Sequence, residues 1–367
     1  MRVTPPVQIT TEKLISSGVA EPFDPAAYDP GIAYSFGDIR KVATDFKIYE
    51  YLQPYDVAIT GKTPNINPLY WRIIGVTETA YDPNATYALG DTVSSAVSHR
   101  GYESLAAGNQ GNPLPVLPEI TTTKWLDVGP TNRFAMFDLF RNTQTVSASP
   151  QTVVIAPGER INTLGLAGLA GNQVQVSATS VLGGGTVYPN ANTESTTGIF
   201  DLNTRIVNDG YDYCFEPFTT LPSMAIFDIP PYSDIIITIE ITTTAGNVKC
   251  GSLIVGTYIY IGTVQYGATN DGLNFSTVTR DVFGNATLVP RRTLPKTDQT
   301  LMISSNRINR CKEARVLLNA VPALWTGIDD NTSDWFDMLT ILGIYTRFQI
   351  GQVRNLRAEI NLSLEEI

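Results

Sequence analysis

The chain carries one motif twice, 53 residues apart, and that duplication limits what it can fold into more than any other feature. Residues 27 to 40 read AYDPGIAYSFGDIR and residues 80 to 93 read AYDPNATYALGDTV. Tyr28-Asp29-Pro30 thus recurs as Tyr81-Asp82-Pro83, and Tyr34, Gly37 and Asp38 recur as Tyr87, Gly90 and Asp91. Downstream, Tyr49-Glu50 returns as Tyr102-Glu103, and Trp71 and Gly75 return one residue later in register as Trp125 and Gly129. Self-similarity at a fixed period marks tandem copies of one structural unit.

Each copy has a physical reading. Asp-Pro starts a turn, and Tyr-x-x-Gly-Asp makes a corner with glycine where a positive φ is needed. The residues that follow (Ile39 and Val42; Thr92 and Val93) start a short strand, and a second strand carries the Tyr-Glu pair. A proline-rich loop (Pro64 and Pro68; Pro113, Pro115 and Pro118) leads to a closing strand with tryptophan, residues 70–74 and 124–128. A unit of about 50 residues buries little surface, so its Tyr and Trp rings are expected to supply most of the core.

The pattern Tyr-x-x-Gly-Asp-x-Val, then Tyr, then Pro, then Trp resembles the small three-stranded chitin-binding modules appended to bacterial chitinases. Similar copies occur in structural proteins of tailed bacteriophages. The resemblance covers residues 80–129 best and 27–75 less closely, under a third of the chain.

Outside the repeats, the sequence divides by pattern. Residues 1–26 form an arm with one helical candidate, residues 11–17, with Thr10 as N-cap and Gly18 as the stop. An arm of this kind is expected to pack on a neighbour. From residue 131 to 262 longer strands are expected at 133–140, 151–155, 162–166, 173–180, 224–228, 235–244 and 247–261. Ile235, Ile237, Ile239 and Ile241 share one face of the strongest, and Thr238, Glu240 and Thr242 share the other. No alternation with helices interrupts them, so this region reads as an antiparallel sandwich. From 263 to 367, strands are expected at 285–291, 299–304, 323–328, 339–350 and 356–364. One helix over 305–321 carries apolar Ile308, Cys311, Ala314, Leu317, Leu318 and Val321 and closes at Pro322. The expected fold is therefore mainly β: small β modules at 27–76 and 77–130, a β-sandwich at 131–262 and a small α+β domain at 263–367.

Charge narrows the partners. The net charge of −10 argues against nucleic acid as the main partner, because phosphate binding needs clustered cations. One basic stretch departs from this. Arg280, Arg291, Arg292, Lys296, Arg307, Arg310, Lys312 and Arg315 face only Asp281, Asp298 and Glu313 as acids, and are candidates for a surface that docks an acidic neighbour or another copy of the chain. Cys214, Cys250 and Cys311 are isolated and odd in number, which favours a reducing compartment over a disulfide framework. The segment MRVTPPVQITTEK has no apolar core of a leader, and no apolar run approaches the ~20 residues of a membrane span, so neither export nor membrane insertion is expected.

Recognisable chemistry is sparse. His99, the single histidine, reads as structural, and no Ser-His-Asp grouping forms without it. Gly165, Gly168 and Gly171 read as turn glycines, and Gly183-Gly184-Gly185 as a flexible loop. The run Asp329-Asp330-Asn331-Thr332-Ser333-Asp334 offers oxygen ligands for calcium but lacks the glycine and terminal glutamate of a calcium-binding helix-loop-helix, so a solvated loop is expected and no metal or other cofactor. No carboxylate pair stands in a glycosidase-like context, and no enzymatic activity is expected.

What the resemblance implies is a structural component of a tailed-phage virion, in the tail tip, baseplate or fibre-attachment region. It would assemble in the host cytoplasm with other virion proteins, as a homo-oligomer. The alternative is a carbohydrate-binding receptor-recognition protein, or a polysaccharide-directed enzyme, with a host-surface glycan as ligand. If the second module holds a glycan, the rings available to stack on it are Tyr87, Tyr102 and Trp125; the competing reading, favoured by the size of the unit, makes those rings its core.

Overall fold

The computed structural model describes residues 1–21, 25–42, 47–53, 62–76, 79–115, 122–140, 143–204, 209–216, 219–280, 286–289, 293–328, 333 and 335–367. Strand accounts for 47% of the chain and helix for 8%, which makes it mainly β, with several antiparallel sheets and a small C-terminal helix.

Three β layers form the body. The first is a six-stranded antiparallel sheet in the order Gly185–Tyr188, Gln173–Ser180, Ile236–Thr242, Gln151–Ile155 and Leu14–Ser17, with Ile199–Asp201 also paired to Gln173–Ser180. Strict alternation sets its inner face: Ile235, Ile237, Ile239 and Ile241 are all buried, together with Val174 and Val176.

The second layer is a three-stranded sheet, Ser223–Ile226, Thr163–Ala167 and Ser252–Gly256. Every residue in these strands is buried, because the layer is covered on both faces. Leu164, Leu166, Met224, Ile226, Leu253 and Val255 pack on the six-stranded sheet. Ala225 and Ile254 point the other way, onto Leu324, Phe336 and Leu342. A strand covered on both faces loses its polar alternation, which is why these segments read TLGLA and SLIVG. Gly165 is thus a mid-strand glycine and not the expected turn glycine: a Cβ on it would lie 2.3 Å from Leu324 Cδ2.

The third layer is an eight-stranded antiparallel sheet in the order Ile259–Tyr260, Arg2–Thr4, Ala323–Thr326, Thr340–Arg354, Arg357–Glu366, Thr293–Ser304 and Thr263–Val264, with Thr269–Asn274 on the edge of Thr293–Ser304. Its far face carries a second core of Val3, Ile303, Trp325, Ile341, Ile360 and Leu362 under one helix. That helix is shorter than the sequence predicts. Ser305–Arg307 is a 3-10 turn, Ile308–Leu317 is α-helical, and Cys311, Ala314 and Leu318 are its buried stripe while Leu317 is exposed.

The N-terminal arm differs most from expectation. Residues 11–17 do not form a helix: Thr10 accepts from the Lys13 and Leu14 amides in one turn, and Leu14–Ser17 then extends as a strand on Gln151–Ile155. Open ladder groups on the sandwich edge outweigh a weak local helix preference. The arm also contributes Arg2–Thr4 between two strands of the C-terminal sheet, so it packs on its own chain. Residues 133–140 are likewise not a strand: Ala135–Phe137 is a 3-10 turn that buries Ala135 and Met136. Gly183-Gly184-Gly185 is a hydrogen-bonded turn, with Asp234 accepting from the Leu182 amide at 2.9 Å and the Ser180 hydroxyl at 2.6 Å.

Candidate functional site

The two modules repeat at the level of single atoms. Gly37 and Gly90 occupy the left-handed region, at φ 86° and 90°. Beside them, Asp38 Oδ2 accepts from the Ser35 amide at 2.9 Å and Asp91 Oδ2 from the Ala88 amide at 2.7 Å. The Tyr34 hydroxyl accepts from the Asp29 amide at 2.7 Å and donates to the Asp29 carbonyl at 2.8 Å; Tyr87 does the same at Asp82, at 2.7 and 3.0 Å. Strand register agrees as well. Ile39 faces Glu50 as Thr92 faces Glu103, and Tyr51 faces Trp71 as Ser104 faces Trp125. Both modules then shift register in the closing strand, so that Ile48 meets Gly75 and Gly101 meets Gly129.

The rings form the module cores. Tyr28 stacks on Tyr34 at 5.5 Å between centroids and meets Trp71 edge-on at 5.8 Å; Tyr81 stacks on Tyr87 at 6.0 Å and meets Trp125 edge-on at 5.8 Å. Each indole N–H donates to a backbone carbonyl, Trp71 to Lys62 at 2.8 Å and Trp125 to Asn112 at 3.1 Å. Of the three candidate glycan-stacking residues, Trp125 is 0% and Tyr102 1% exposed, while Tyr87 is half-buried with its hydroxyl held by Asp82. They therefore do not line up as an exposed aromatic platform. Among the described residues the unit closes around these rings together with Tyr81, Val93 and Leu114.

The surroundings of the two corners differ. In the first module, Phe36-Gly37 sits on the hairpin turn Ala245-Gly246-Asn247 of the sandwich; a Cβ on Gly246 would come within 2.8 Å of the Phe36 ring, and one on Gly37 within 2.8 Å of Gly246 Cα. Asn247 Nδ2 donates to the Gly37 carbonyl at 2.6 Å, and Lys249 Nζ donates to Glu50 Oε2 at 2.8 Å. Arg72 reaches the same carboxylate oxygen at 2.5 Å. Burial raises the Glu50 pKa, but the hydrogen bonds from Lys249 and Arg72 outweigh it and hold the carboxyl below its usual range. In the second module, the equivalent residues are Leu89, Gly90, Glu103 and Leu126. Leu89 is 65% exposed, a Cβ on Gly90 would meet nothing within 4 Å, and Glu103 has no hydrogen-bond or ion-pair partner among the described residues.

The opposite end of this module is anchored. His99, at φ 52°, stacks on Phe134 at 3.8 Å, and its ring nitrogens meet Glu21 Oε1 at 3.0 Å and the Thr11 hydroxyl at 2.5 Å. Glu21 also accepts from the Thr131 hydroxyl at 2.7 Å and lies 3.5 Å from Arg133. The single histidine is a joint between the arm, the module and the sandwich.

The described residues of the basic stretch are spread over several elements. Arg280 lies exposed on the hairpin Thr277–Arg280 and Ala286–Val289, Arg310 is exposed on the helix, and Lys296 is half-buried opposite Glu365 in the sheet. Arg291 and Arg292 lie outside the described residues. Lys312 and Arg315 come together with Arg354 and Arg357, at the tip of the hairpin Thr340–Arg354 and Arg357–Glu366, around a cavity of about 520 Å³, and Arg307 shares a neighbouring cleft with Arg357. Sequence reasoning missed Arg354 and Arg357 because they lie beyond the run, and only the fold brings the hairpin tip beside the helix.

Among the described residues no group of His, Cys, Asp and Glu could hold a metal ion. The acidic run apart from Ser333, namely Asp329, Asp330, Asn331, Thr332 and Asp334, lies outside the described residues. The three cysteines are free, and burial pushes the thiols of Cys250 and Cys311 up to about 12 and about 11. No helix among the described residues is long and apolar enough to cross a membrane. The chain matches no protein-family model and no curated protein.

Proposed function

We propose that the chain is a structural assembly protein, a component of a tailed-phage virion in the tail tip, baseplate or fibre-attachment region, working through protein–protein surfaces. The observation that carries this reading is the first module, whose repeated corner is turned onto protein, with a glycine-to-glycine contact and a buried Glu50–Lys249 ion pair. A module that engages other β-structure through its corner and keeps its rings inside suits assembly better than sugar capture. The open corner of the second module and the basic cavity around Lys312, Arg315, Arg354 and Arg357 supply two further surfaces, one of them cationic on a chain of net charge −10. The virion itself is named by the resemblance of residues 80–129 to modules found in phage structural proteins. Mass spectrometry of purified particles from a lysate that expresses this chain tests the reading. The chain should copurify with particles at fixed stoichiometry through a density gradient, and its absence from particles while present in the lysate would overturn the assignment.

A further inference from the structure

The chain contains its own template for what the open corner binds. In the first module the corner receives a β-hairpin turn with three features: a glycine that lets Phe36 and Gly37 approach its backbone, an asparagine that donates to the Gly37 carbonyl, and a lysine two residues on that pairs with Glu50. The second module presents the same backbone in the same register, with Gly90 at the same φ and Glu103 at the position of Glu50. Two substitutions shape its preference. Leu89 replaces Phe36 and Leu126 replaces Arg72, so the face is more apolar, and the arginine that shares the Glu50 carboxylate has no counterpart at position 126. Leu89, Leu126 and Val128 are 65%, 39% and 37% exposed there.

We infer that the face formed by Leu89, Gly90, Glu103 and Leu126 is a docking site for a hairpin turn of another protein, with Gly-Asn at the tip and a cationic side chain two residues beyond. Charge complementarity selects this occupant, since Glu103 is a carboxylate without a partner among the described residues, flanked by exposed Leu89 and Leu126. A second copy of the chain does not supply it, because the turn Gly246-Asn247-Val248-Lys249 already lies under the first module of its own chain. The inference rests on the equivalence of the two modules and not on the virion assignment, so either can fail alone.

The test uses isotope-labelled full-length chain and a cyclic hairpin peptide of residues 241–249 as the probe. The expected result is saturable chemical-shift changes confined to Leu89, Gly90, Glu103, Leu126 and their neighbours. A peptide with Lys249→Glu should bind at least about tenfold more weakly, the size of one lost charge pair. Glu103→Lys should invert that preference, binding the Lys249→Glu peptide better than the original, a reversal that general damage to the module would not produce. No binding, binding indifferent to the charge swap, or shifts centred on Phe36 and Glu50 would each overturn the inference. So would self-association of the chain that Glu103→Lys abolishes, which would make a second copy the occupant.

Discussion

Trp125 and Asp138 show how single side chains decide behaviour in the smallest units of the chain. The Trp125 ring is enclosed by Tyr81 and Tyr87 and has no solvent exposure, so Trp125→Ala should destabilise its module by about 3–5 kcal/mol, read as an earlier unfolding transition in chemical denaturation. A glycan-platform role would instead leave the melt unchanged. Asp138 is a half-buried carboxyl whose burial pushes its pKa from 3.8 to about 6, although the Thr143 hydroxyl and the Phe140 amide donate to it. Folding therefore favours its protonated form. Its contribution to stability should be full below about pH 4 and be lost as pH rises from there through 6, since in that interval the native state holds a proton that the unfolded state has released. Asp138→Asn keeps the hydrogen-bonding shape without the charge, so it should melt like the parent at pH 4 and above it at pH 8. The corner glycines were legible in sequence because positive φ admits few other residues. The partners of His99 were not, since Thr11 and Glu21 are more than 75 residues distant and no periodicity links them.

Strands declared themselves where one face is wet. Gln151–Ile155 and Gln173–Ser180 begin and end where alternation predicts, because their side chains sort between core and solvent. The arm strand and the 3-10 turn after the second module did not, because each is selected by a neighbour: an open sheet edge in one case, the His99–Phe134 stack in the other. The middle sheet is an intermediate case. Its runs read as strands, but nothing in the sequence indicates that a third layer covers them, so Gly165 reads as a turn glycine. Its function is spatial, and a double-mutant cycle should show it. Gly165→Ala drives a methyl against Leu324 and should cost about 1–3 kcal/mol. Leu324→Ala should cost about 2–5 kcal/mol through the cavity it leaves. The double variant should be more stable than the sum of the single losses requires, since the new methyl enters the space vacated by Leu324. Simple additivity in urea denaturation would show that the two layers do not meet there.

Across the whole molecule, tandem duplication has given one corner two environments, and the pair Glu50 and Glu103 makes the difference measurable. Glu50 is 3% exposed and links the first module to the sandwich through Lys249, itself 12% exposed, and Arg72. Removing its charge leaves Lys249 without its partner at the joint, and breaking a buried pair in this way costs about 3–5 kcal/mol. Glu50→Gln should therefore loosen the first module, splitting a melting endotherm or lowering its onset in calorimetry. The pH dependence follows from the same contact. A carboxyl held below its usual range in the native state stabilises the fold above about pH 4.5, and that contribution disappears as pH falls through the lowered native value. The onset of the parent should fall in this acid window, and that of Glu50→Gln should fall less. Glu103→Gln is the matched control at the equivalent position of the second module. Among the described residues its carboxylate has no partner to lose, so its melting curve should overlay that of the parent. If both variants melt alike, the first corner is not an energetic joint and its contact with the Gly246-Asn247 turn is only proximity. If Glu50→Gln alone is destabilised, the carboxylate at this position stabilises the fold where the corner meets the sandwich and not where the corner is open.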